Sequence, residues 1–180
     1  MSQQLFETER LIVRQLSLSD HGTFHDLQSN PSVMQYTGQA PMNEEESLAD
    51  LQHVIAHYSD ASSGFRVWGV YLKNSGENIG TGALISEKGQ HEIGFRLRED
   101  FWKMGYGKEL AQGLLEYGFD QLQFDKIFAE VDEQNEGSIK ILDKVLDCIR
   151  KFHNPETDTD DYYYELTRNE YEKRRHSYGS

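Results

Sequence analysis

The period of hydrophobic and polar positions changes repeatedly along this chain, and the changes predict an α/β fold. Helical spacing and capping signals mark four segments, and short apolar runs bounded by turn residues mark seven others. The predicted strands are Leu11–Arg14, Phe65–Leu72, Asn78–Ile85, His91–Leu97, Lys126–Val131, Cys148–His153 and Asp161–Thr167. The predicted helices cover residues 19–27, 43–58, 108–121 and 136–146. This order predicts a mixed sheet with helices packed on its faces.

Capping signals indicate where two of the helices begin or end. The first is predicted to start at a Ser19 cap and to stop before Asn30–Pro31, because the residue preceding proline is disfavoured in helical geometry. Asn43 followed by Glu46 predicts a capping box at the start of the second helix. The residues after Asn169 are strongly charged and are predicted to form a frayed or helical tail, residues 169–180.

Length and composition favour one globular domain, residues 1–180. Hydrophobic residues make up 37% and aromatic residues 12% of the chain, which is enough to bury one core. No apolar run approaches the length that a membrane span requires, and the chain does not begin with a signal-peptide pattern. The single cysteine, Cys148, excludes an internal disulfide and predicts a cytoplasmic location.

The net charge of −13 narrows the range of partners. A surface this acidic opposes binding to nucleic acid or to anionic membranes, both of which attract basic proteins. It is compatible with a cationic substrate such as an amine. Many acidic proteins are simply soluble, so the charge alone does not identify a substrate.

A glycine-containing segment at residues 101–109 carries the main chemical signal. Gly105 and Gly107 lie between a predicted strand and a predicted helix, where backbone N–H groups and the helix dipole favour an anion. Lys103 and Lys108 flank them and add positive charge. The segment therefore predicts a phosphate site, most simply for the pyrophosphate of a nucleotide-containing cofactor. Two glycines in a turn are also a common structural feature, so the neighbouring residues have to decide.

Several separate segments resemble the GNAT superfamily of N-acetyltransferases, and most closely its RimJ/RimL-like branch of ribosomal-protein N-terminal acetyltransferases. Glu92–Phe95 followed by Trp102–Gly107 is similar to that branch's fourth strand and acetyl-CoA loop. The matches in the following helix are Asn135, Ser138, Leu142 and Lys144. The resemblance covers nearly the whole chain. It implies a mixed, mostly antiparallel sheet of about seven strands, about four flanking helices, and a fourth strand that splays from the fifth.

The resemblance also implies acetyl-CoA as the acetyl donor, bound without a metal. Backbone amides of the loop would hold the pyrophosphate of CoA, and main-chain groups near Phe95 and Leu97 would bind pantetheine like an added strand. Asn135 would contact the pantetheine arm. Separately from the resemblance, we expect Ser138 to hydrogen-bond the CoA sulfur. The residues expected to bind the donor are Phe95, Leu97, Lys103, Met104, Gly105, Tyr106, Gly107, Lys108, Asn135 and Ser138.

The chain departs from the family pattern in three places: the glycine loop, the residue expected to protonate the leaving thiolate, and the strand expected to border the acceptor. Lys103 stands where the branch usually has glycine. Leu142 replaces the tyrosine that serves as a general acid in many members. Val145–Cys148 lacks the usual glycine–aromatic pair, which puts the start of the sixth predicted strand in question.

Acetyl transfer to an amine needs a base, because an ammonium ion is not a nucleophile. Glu130, in the fifth predicted strand, matches a glutamate that some relatives use as the base, and Glu92 on the adjoining strand is the rival candidate. Glu130 also has a simpler explanation as a solvated or salt-bridged strand glutamate. Ser138 is the third catalytic candidate, through support of the leaving thiolate, with a plain helix-surface serine as the alternative.

Two histidine pairs, His21 with His25 and His53 with His57, have helical spacing but no obvious third ligand, so no metal site is predicted. The predicted function is direct transfer of acetyl from acetyl-CoA to a primary amine, either a small molecule or a protein N-terminus. The alternative is a non-catalytic module that binds or senses acyl-CoA. The sequence does not identify the acceptor, and a homodimer is compatible with the resemblance.

Overall fold

The computed structural model describes residues 2–177, in which one eight-stranded sheet forms the centre. The strands are β1 (Gln4–Glu7), β2 (Leu11–Arg14), β3 (Phe65–Leu72), β4 (Asn78–Glu87), β5 (Gln90–Leu97), β6 (Lys126–Asp132), β7 (Asp147–Asn154) and β8 (Thr159–Thr167). Their order across the sheet is β1-β2-β3-β4-β5-β6-β8-β7. All neighbours are antiparallel except β5 and β6, which run parallel.

Six α-helices are present in the described part of the chain. They are α1 (His21–Ser29), α2 (Pro31–Met34), α3 (Glu44–His57), α4 (Tyr106–Glu116), α5 (Glu136–Val145) and α6 (Arg168–Ser177). Short 3-10 turns occur at Leu18–Asp20 and Glu99–Phe101, and a π turn continues α4 over Tyr117–Gln121.

Each face of the sheet has its own apolar core. On the first face, α4 packs so closely on β4 that a Cβ at Gly82 would lie 3.1 Å from Leu114. On the second face, Leu51 and Val54 of α3 pack with Phe24 of α1. Alternate residues of a strand point to opposite faces, so each central strand contributes to both cores.

The predicted fold class is confirmed, with small differences in number. The structure has eight strands rather than seven and six helices rather than four within residues 2–177. The extra strand, β1, pairs with β2 through Phe6 and Val13. The extra helices are α6 and the short α2, which begins at Pro31. Proline suits a first helical turn, because the N–H that it lacks would have no partner there.

The helix boundaries follow the capping signals in part. Asn43 Oδ1 accepts from the Glu46 N–H at 2.9 Å and Glu46 Oε2 accepts from the Asn43 N–H at 2.8 Å, so the predicted capping box is confirmed. The Ser19 cap is wrong, because Asp20 instead accepts from the N–H of Ser17 at 2.8 Å and α1 begins directly after it. Several neighbouring residues here suit a cap, and the pattern alone does not distinguish them.

The C-terminal tail is a docked helix. Arg168 Nη2 donates to the carbonyls of Phe119 and Phe124 at 3.0 and 2.8 Å. Tyr171 stacks on Phe119 with ring centroids 4.7 Å apart. Of the predicted tail, residues 169–177 are therefore helical, and 178–180 lie outside the described residues. Within residues 2–177, no helix has the length and apolar character needed to cross a membrane.

Candidate active site

The site begins where β5 and β6 separate. These are the fourth and fifth predicted strands, and a single bridge joins them, between Glu92 and Phe128. Because both residues lie near the beginnings of parallel strands, the carboxyl ends diverge and leave a cleft. The predicted splay is confirmed. On the cleft side, the main chain of β5 beyond the bridge has no strand partner within the described residues.

The loop after β5 adopts a backbone that is rare for residues other than glycine. Trp102 Nε1 donates to the Leu97 carbonyl at 2.7 Å and ties the loop to the end of β5. Gly105, the residue that caps α4, has φ +85°, and Lys103 has φ +62°. The left-handed conformation explains why glycine is usual at position 103, because a side chain there costs about 1 kcal/mol.

Arg10, which the sequence pattern did not assign to the site, fixes this loop from the β1–β2 turn. Its Nη1 donates to the Met104 carbonyl at 3.0 Å, and its Nε lies 2.6 Å from Glu109 Oε2. The guanidinium also stacks 4.3 Å from the Tyr106 ring centroid. Burial raises the pKa of Glu109, but hydrogen bonds from Thr8 and Arg10 outweigh it and lower that pKa. The sequence pattern gave Arg10 no role, because its partner Glu109 lies 99 positions away in the chain.

The start of α4 has the features of a diphosphate site. Gly105 has no side chain to obstruct the N–H groups of the first helical turn, and these groups and the helix dipole favour an anion. Lys103 and Lys108 are exposed on either side. Gly107 allows close packing on α5, because a Cβ there would lie 2.5 Å from Ile141 Cδ1. The predicted loop residues are thus brought together at one end of the cleft.

The start of α5 forms the opposite wall of this end of the cleft. Asn135 Oδ1 caps the helix by accepting from the Ser138 N–H at 3.2 Å, which leaves its amide nitrogen as the atom that a ligand would use. Ser138 is half-buried in the first turn. Leu142, one turn further, is 3% exposed in the core and offers no proton to a leaving group.

The side chains of Phe95 and Leu97 do not line the cleft as ligand contacts. Leu97 is buried and Phe95 packs against the same core as α4. Their predicted role was through the main chain, and the Leu97 carbonyl is already occupied by Trp102. The N–H groups and the Phe95 carbonyl are therefore the main-chain atoms left for a pantetheine arm.

Both candidate bases lie on the second face of the sheet, beside the cleft. Glu92 is half-buried at the bridge. Glu130 is more exposed and lies two residues after Phe128 on β6, so its side chain points to the same face as that of Phe128. Burial raises the pKa of Glu92, and the charge of Glu130 raises it further. Burial is also the largest cause of the raised pKa of Glu130, followed by the charge of buried Asp161. Raised carboxyl pKa values bring both groups closer to the range that general-base catalysis at neutral pH requires.

The histidine pairs contribute to packing on the second face. His21 Nε2 and His25 Nδ1 lie 3.2 and 2.9 Å from the same hydroxyl, Ser47 Oγ. His53 and His57 form an edge-to-face pair with ring centroids 4.6 Å apart. Among residues 2–177, no group of three or more histidine, cysteine, aspartate or glutamate side chains is arranged to hold a metal ion.

A splayed parallel strand pair beside a glycine-capped helix is the arrangement that the sequence resemblance implied for a CoA-dependent acetyltransferase. The chain belongs to the GNAT family of acetyltransferases, because the family model described as "Acetyltransferase (GNAT) domain" matches residues 10–145. It is therefore an acetyl-CoA-dependent N-acetyltransferase, as the sequence resemblance implied.

Individual proteins of this family are similar to the chain over most of its length. It is 31% identical over 141 residues to the uncharacterized N-acetyltransferase p20 of Bacillus licheniformis, which covers 77% of this chain and 79% of that protein. It is 28% identical over 136 residues to the spermidine N(1)-acetyltransferase of Escherichia coli, covering 74% and 70%. The solved structure of RimL, a ribosomal alpha-N-protein acetyltransferase, has a TM-score of 0.77 at 16% identity, with 93% and 95% covered, and shows the same fold.

Proposed function

We propose that this protein acetylates a primary amine in the cleft between β5 and β6, with the donor entering from the α4 end. The observation that carries the proposal is the position of the single β5–β6 bridge. On one side of that bridge lies the loop suited to a diphosphate, and beside it lie the two carboxyls. The cleft between β5 and β6 therefore offers both a site for acetyl-CoA and a carboxyl that can accept a proton from the amine.

In this proposal the donor is held by groups at the start of α4, along β5 and at the start of α5. The N–H groups following Gly105 face the diphosphate, and exposed Lys103 and Lys108 add positive charge. The main chain of β5 hydrogen-bonds the pantetheine arm as a missing strand would, and the Asn135 amide contacts it from α5. Acetyl-CoA supplies an activated thioester, whose carbon–sulfur bond breaks as the new carbon–nitrogen bond forms.

Glu130 acts as the base in this proposal, and Glu92 is the rival. The incoming ammonium gives one proton to Glu130, and the free amine then attacks the acetyl carbon. The charge of Glu130 raises the pKa of Glu92, so the protonation states of the two carboxyls are linked. The second proton of the amine leaves with the departing thiolate, which Ser138 supports by a hydrogen bond.

The acceptor is a small-molecule amine or a protein N-terminus. The relatives favour neither, because one is named for spermidine and another for a ribosomal protein. The cytoplasm and a homodimer remain predictions from sequence.

The pH dependence of thiol release from acetyl-CoA tests the assignment of the base. A carboxylate base must be deprotonated, so kcat/KM should rise with pH through a pKa above the ordinary glutamate value. Glu130→Gln should lower kcat/KM by about 100-fold or more. Because the Glu130 charge raises the pKa of Glu92, the same change should also shift any remaining acid limb to lower pH. Retained activity with an acid limb shifted to lower pH in Glu130→Gln, together with a large loss of kcat/KM in Glu92→Gln, would transfer the role to Glu92.

A non-catalytic acyl-CoA-binding module is the second candidate, and the buried Leu142 in place of a tyrosine favours it. Calorimetry with CoA and thiol release with a panel of amines separate the two. Binding of CoA without acceptor-dependent thiol release for any amine would support the module and contradict the transferase.

A further inference from the structure

Three alternate residues of β5 form a line along the second face of the sheet. Gly94 lies between Glu92 and Arg96, and side chains two residues apart on a strand point the same way. The rise per residue places the Cα atoms of Glu92 and Arg96 roughly 13 Å apart. The carboxyl of Glu92 and the guanidinium of Arg96 therefore lie at the two ends of this line, and Gly94 between them has no side chain.

The space above Gly94 is open. A Cβ placed there would meet one atom within 4 Å, the Cβ of Ala83 on β4 at 3.8 Å. In the register of the Glu92–Phe128 bridge, the residue of β6 that faces Gly94 across the cleft is Glu130. An amine that sits above Gly94 is thus bordered by Glu92 and Glu130.

Arg96 closes the other end of this stretch, and its charge has no direct partner. Its Nη1 donates to Gln28 Oε1 at 2.8 Å and approaches Met34 Sδ at 3.9 Å. Gln28 in turn donates to Asp50 at 2.6 Å. Within residues 2–177, no carboxylate contacts Arg96, and neither its Nε nor its Nη2 donates to any protein acceptor.

A half-buried guanidinium without a carboxylate is costly, and the planar fork of N–H donors matches the paired oxygens of a carboxylate, as it also matches those of a phosphate. Burial is the largest influence on the pKa of Arg96 and lowers it, opposed by the charge of Asp50. Arg98, two residues further, shows the contrast. It lies 2.8 Å from Glu77 and 3.7 Å from Asp26, so its charge is already paired.

We propose that the acceptor carries a carboxylate as well as its amine, and that Arg96 binds this carboxylate while the amine lies above Gly94 between Glu92 and Glu130. The acceptor is thus an amino acid or a closely similar amino-carboxylate. This inference rests on the proposed acetyl transfer and names the class of acceptor for the same cleft. A polyamine has no group for Arg96 and would place a second cation near it.

Matched acceptor pairs test the inference. Thiol release from acetyl-CoA is measured with free amino acids and with the carboxamide of each, which keeps the amine and removes the negative charge. β-Alanine and 4-aminobutyrate extend the distance between amine and carboxylate, and spermidine represents the polyamines. We expect the best amino-carboxylate to exceed its carboxamide by at least about tenfold in kcat/KM, an effect of the size of one charge-assisted contact.

The variant Arg96→Gln should remove this preference. It should lower kcat/KM for the carboxylate acceptor by about tenfold or more and change that for the carboxamide by less than about threefold. Arg96→Lys keeps the charge and should retain part of the preference. Arg98→Gln is the matched control and should leave the ratio of carboxylate to carboxamide unchanged.

The outcomes are distinguishable. Equal rates for acids and carboxamides, or a higher rate with spermidine than with every acid, overturn the inference and leave the acetyl transfer intact. An equal loss for both acceptors in Arg96→Gln also overturns it, because Arg96 would then only position β5 against α1. No thiol release with any acceptor overturns the proposed function and the inference together. If Arg96→Gln does not fold, the wild-type ratio and Arg96→Lys decide.

Discussion

The two ends of β5 differ in whether side chains or the main chain make their contacts. At the amino end, side chains supply the contacts. His91 stacks on Phe124 with ring centroids 3.6 Å apart, and its Nδ1 lies 2.7 Å from Ser86 Oγ. Ile93 follows at 4% exposure in the core. Strands pair here on both sides, so this end of β5 is enclosed.

At the carboxyl end, the backbone is the exposed element. β6 has separated, Gly94 leaves open space, and Trp102 and Met104 are exposed at 38% and 54%. Two residues of the loop have positive φ. A single strand can thus be enclosed by neighbouring strands over its first residues and open a cleft over its last. What changes between the halves is the loss of one strand neighbour.

Filling the space above Gly94 should have the largest effect. Gly94→Val places two methyl groups in the cleft, while the nearest atom to its Cβ is 3.8 Å away, so the fold should accept it. We expect kcat/KM for the acceptor to fall about 100-fold or more, since the amine loses its position for attack. Steady-state thiol release and thermal unfolding measure the two effects separately.

Gly22→Val is the control for this variant, because it adds the same atoms at an exposed residue of α1 where a Cβ would meet nothing within 4 Å. It should retain activity within about threefold. A Gly94→Val protein that turns over normally would show that the acceptor does not lie above this residue.

The sequence predicted the strands, helices and loop of this site better than the contacts between them. Strand and helix positions follow from hydrophobic period and capping, and the glycine loop follows from its residue types. The pairing of Arg10 with Glu109 spans 99 positions in the chain, and no local pattern contains such a contact. The same holds for Arg96, which looks like an ordinary strand residue until Gln28 and Met34 are placed against it.

Some elements were missed for local reasons. β1 is a four-residue edge strand of mixed polarity, too short to show a period. The resemblance placed Leu142 where many family members have tyrosine, but only the fold shows that its side chain is buried in the core. Which glutamate is the base depends on burial and on the distance between two strands, and neither quantity is present in a sequence.

Weakening the support of the loop should have an intermediate effect. Glu109→Gln removes the charge that pairs with Arg10 at the surface, and we expect a loss of about 1 kcal/mol in the free energy of unfolding at pH 7. The pKa of Glu109 is lowered in the folded state, so its stabilisation is present above the unfolded value of 4.5 and is lost as the pH falls through the folded value. CoA affinity should fall as well, since Arg10 also fixes the Met104 carbonyl.

Urea unfolding at several pH values tests this, with Glu116→Gln at the exposed far end of α4 as the matched control. The difference between Glu109→Gln and wild type should shrink below pH 4.5, whereas Glu116→Gln should follow wild type at each pH. A Glu109→Gln deficit that stays constant from pH 7 to pH 3 would contradict the charged pairing.

Relieving the loop backbone should have the smallest effect and the opposite sign. Lys103→Gly removes a side chain from a residue with φ +62°, whereas Lys103→Ala removes the same charge and keeps the Cβ. We expect the glycine variant to be more stable than the alanine variant by about 1 kcal/mol, or a few degrees in Tm. Both should lose CoA affinity to the same extent, because both lose the positive charge beside the diphosphate site. If the two variants melt at the same temperature, the left-handed conformation of residue 103 carries no strain, and lysine is there at no structural cost.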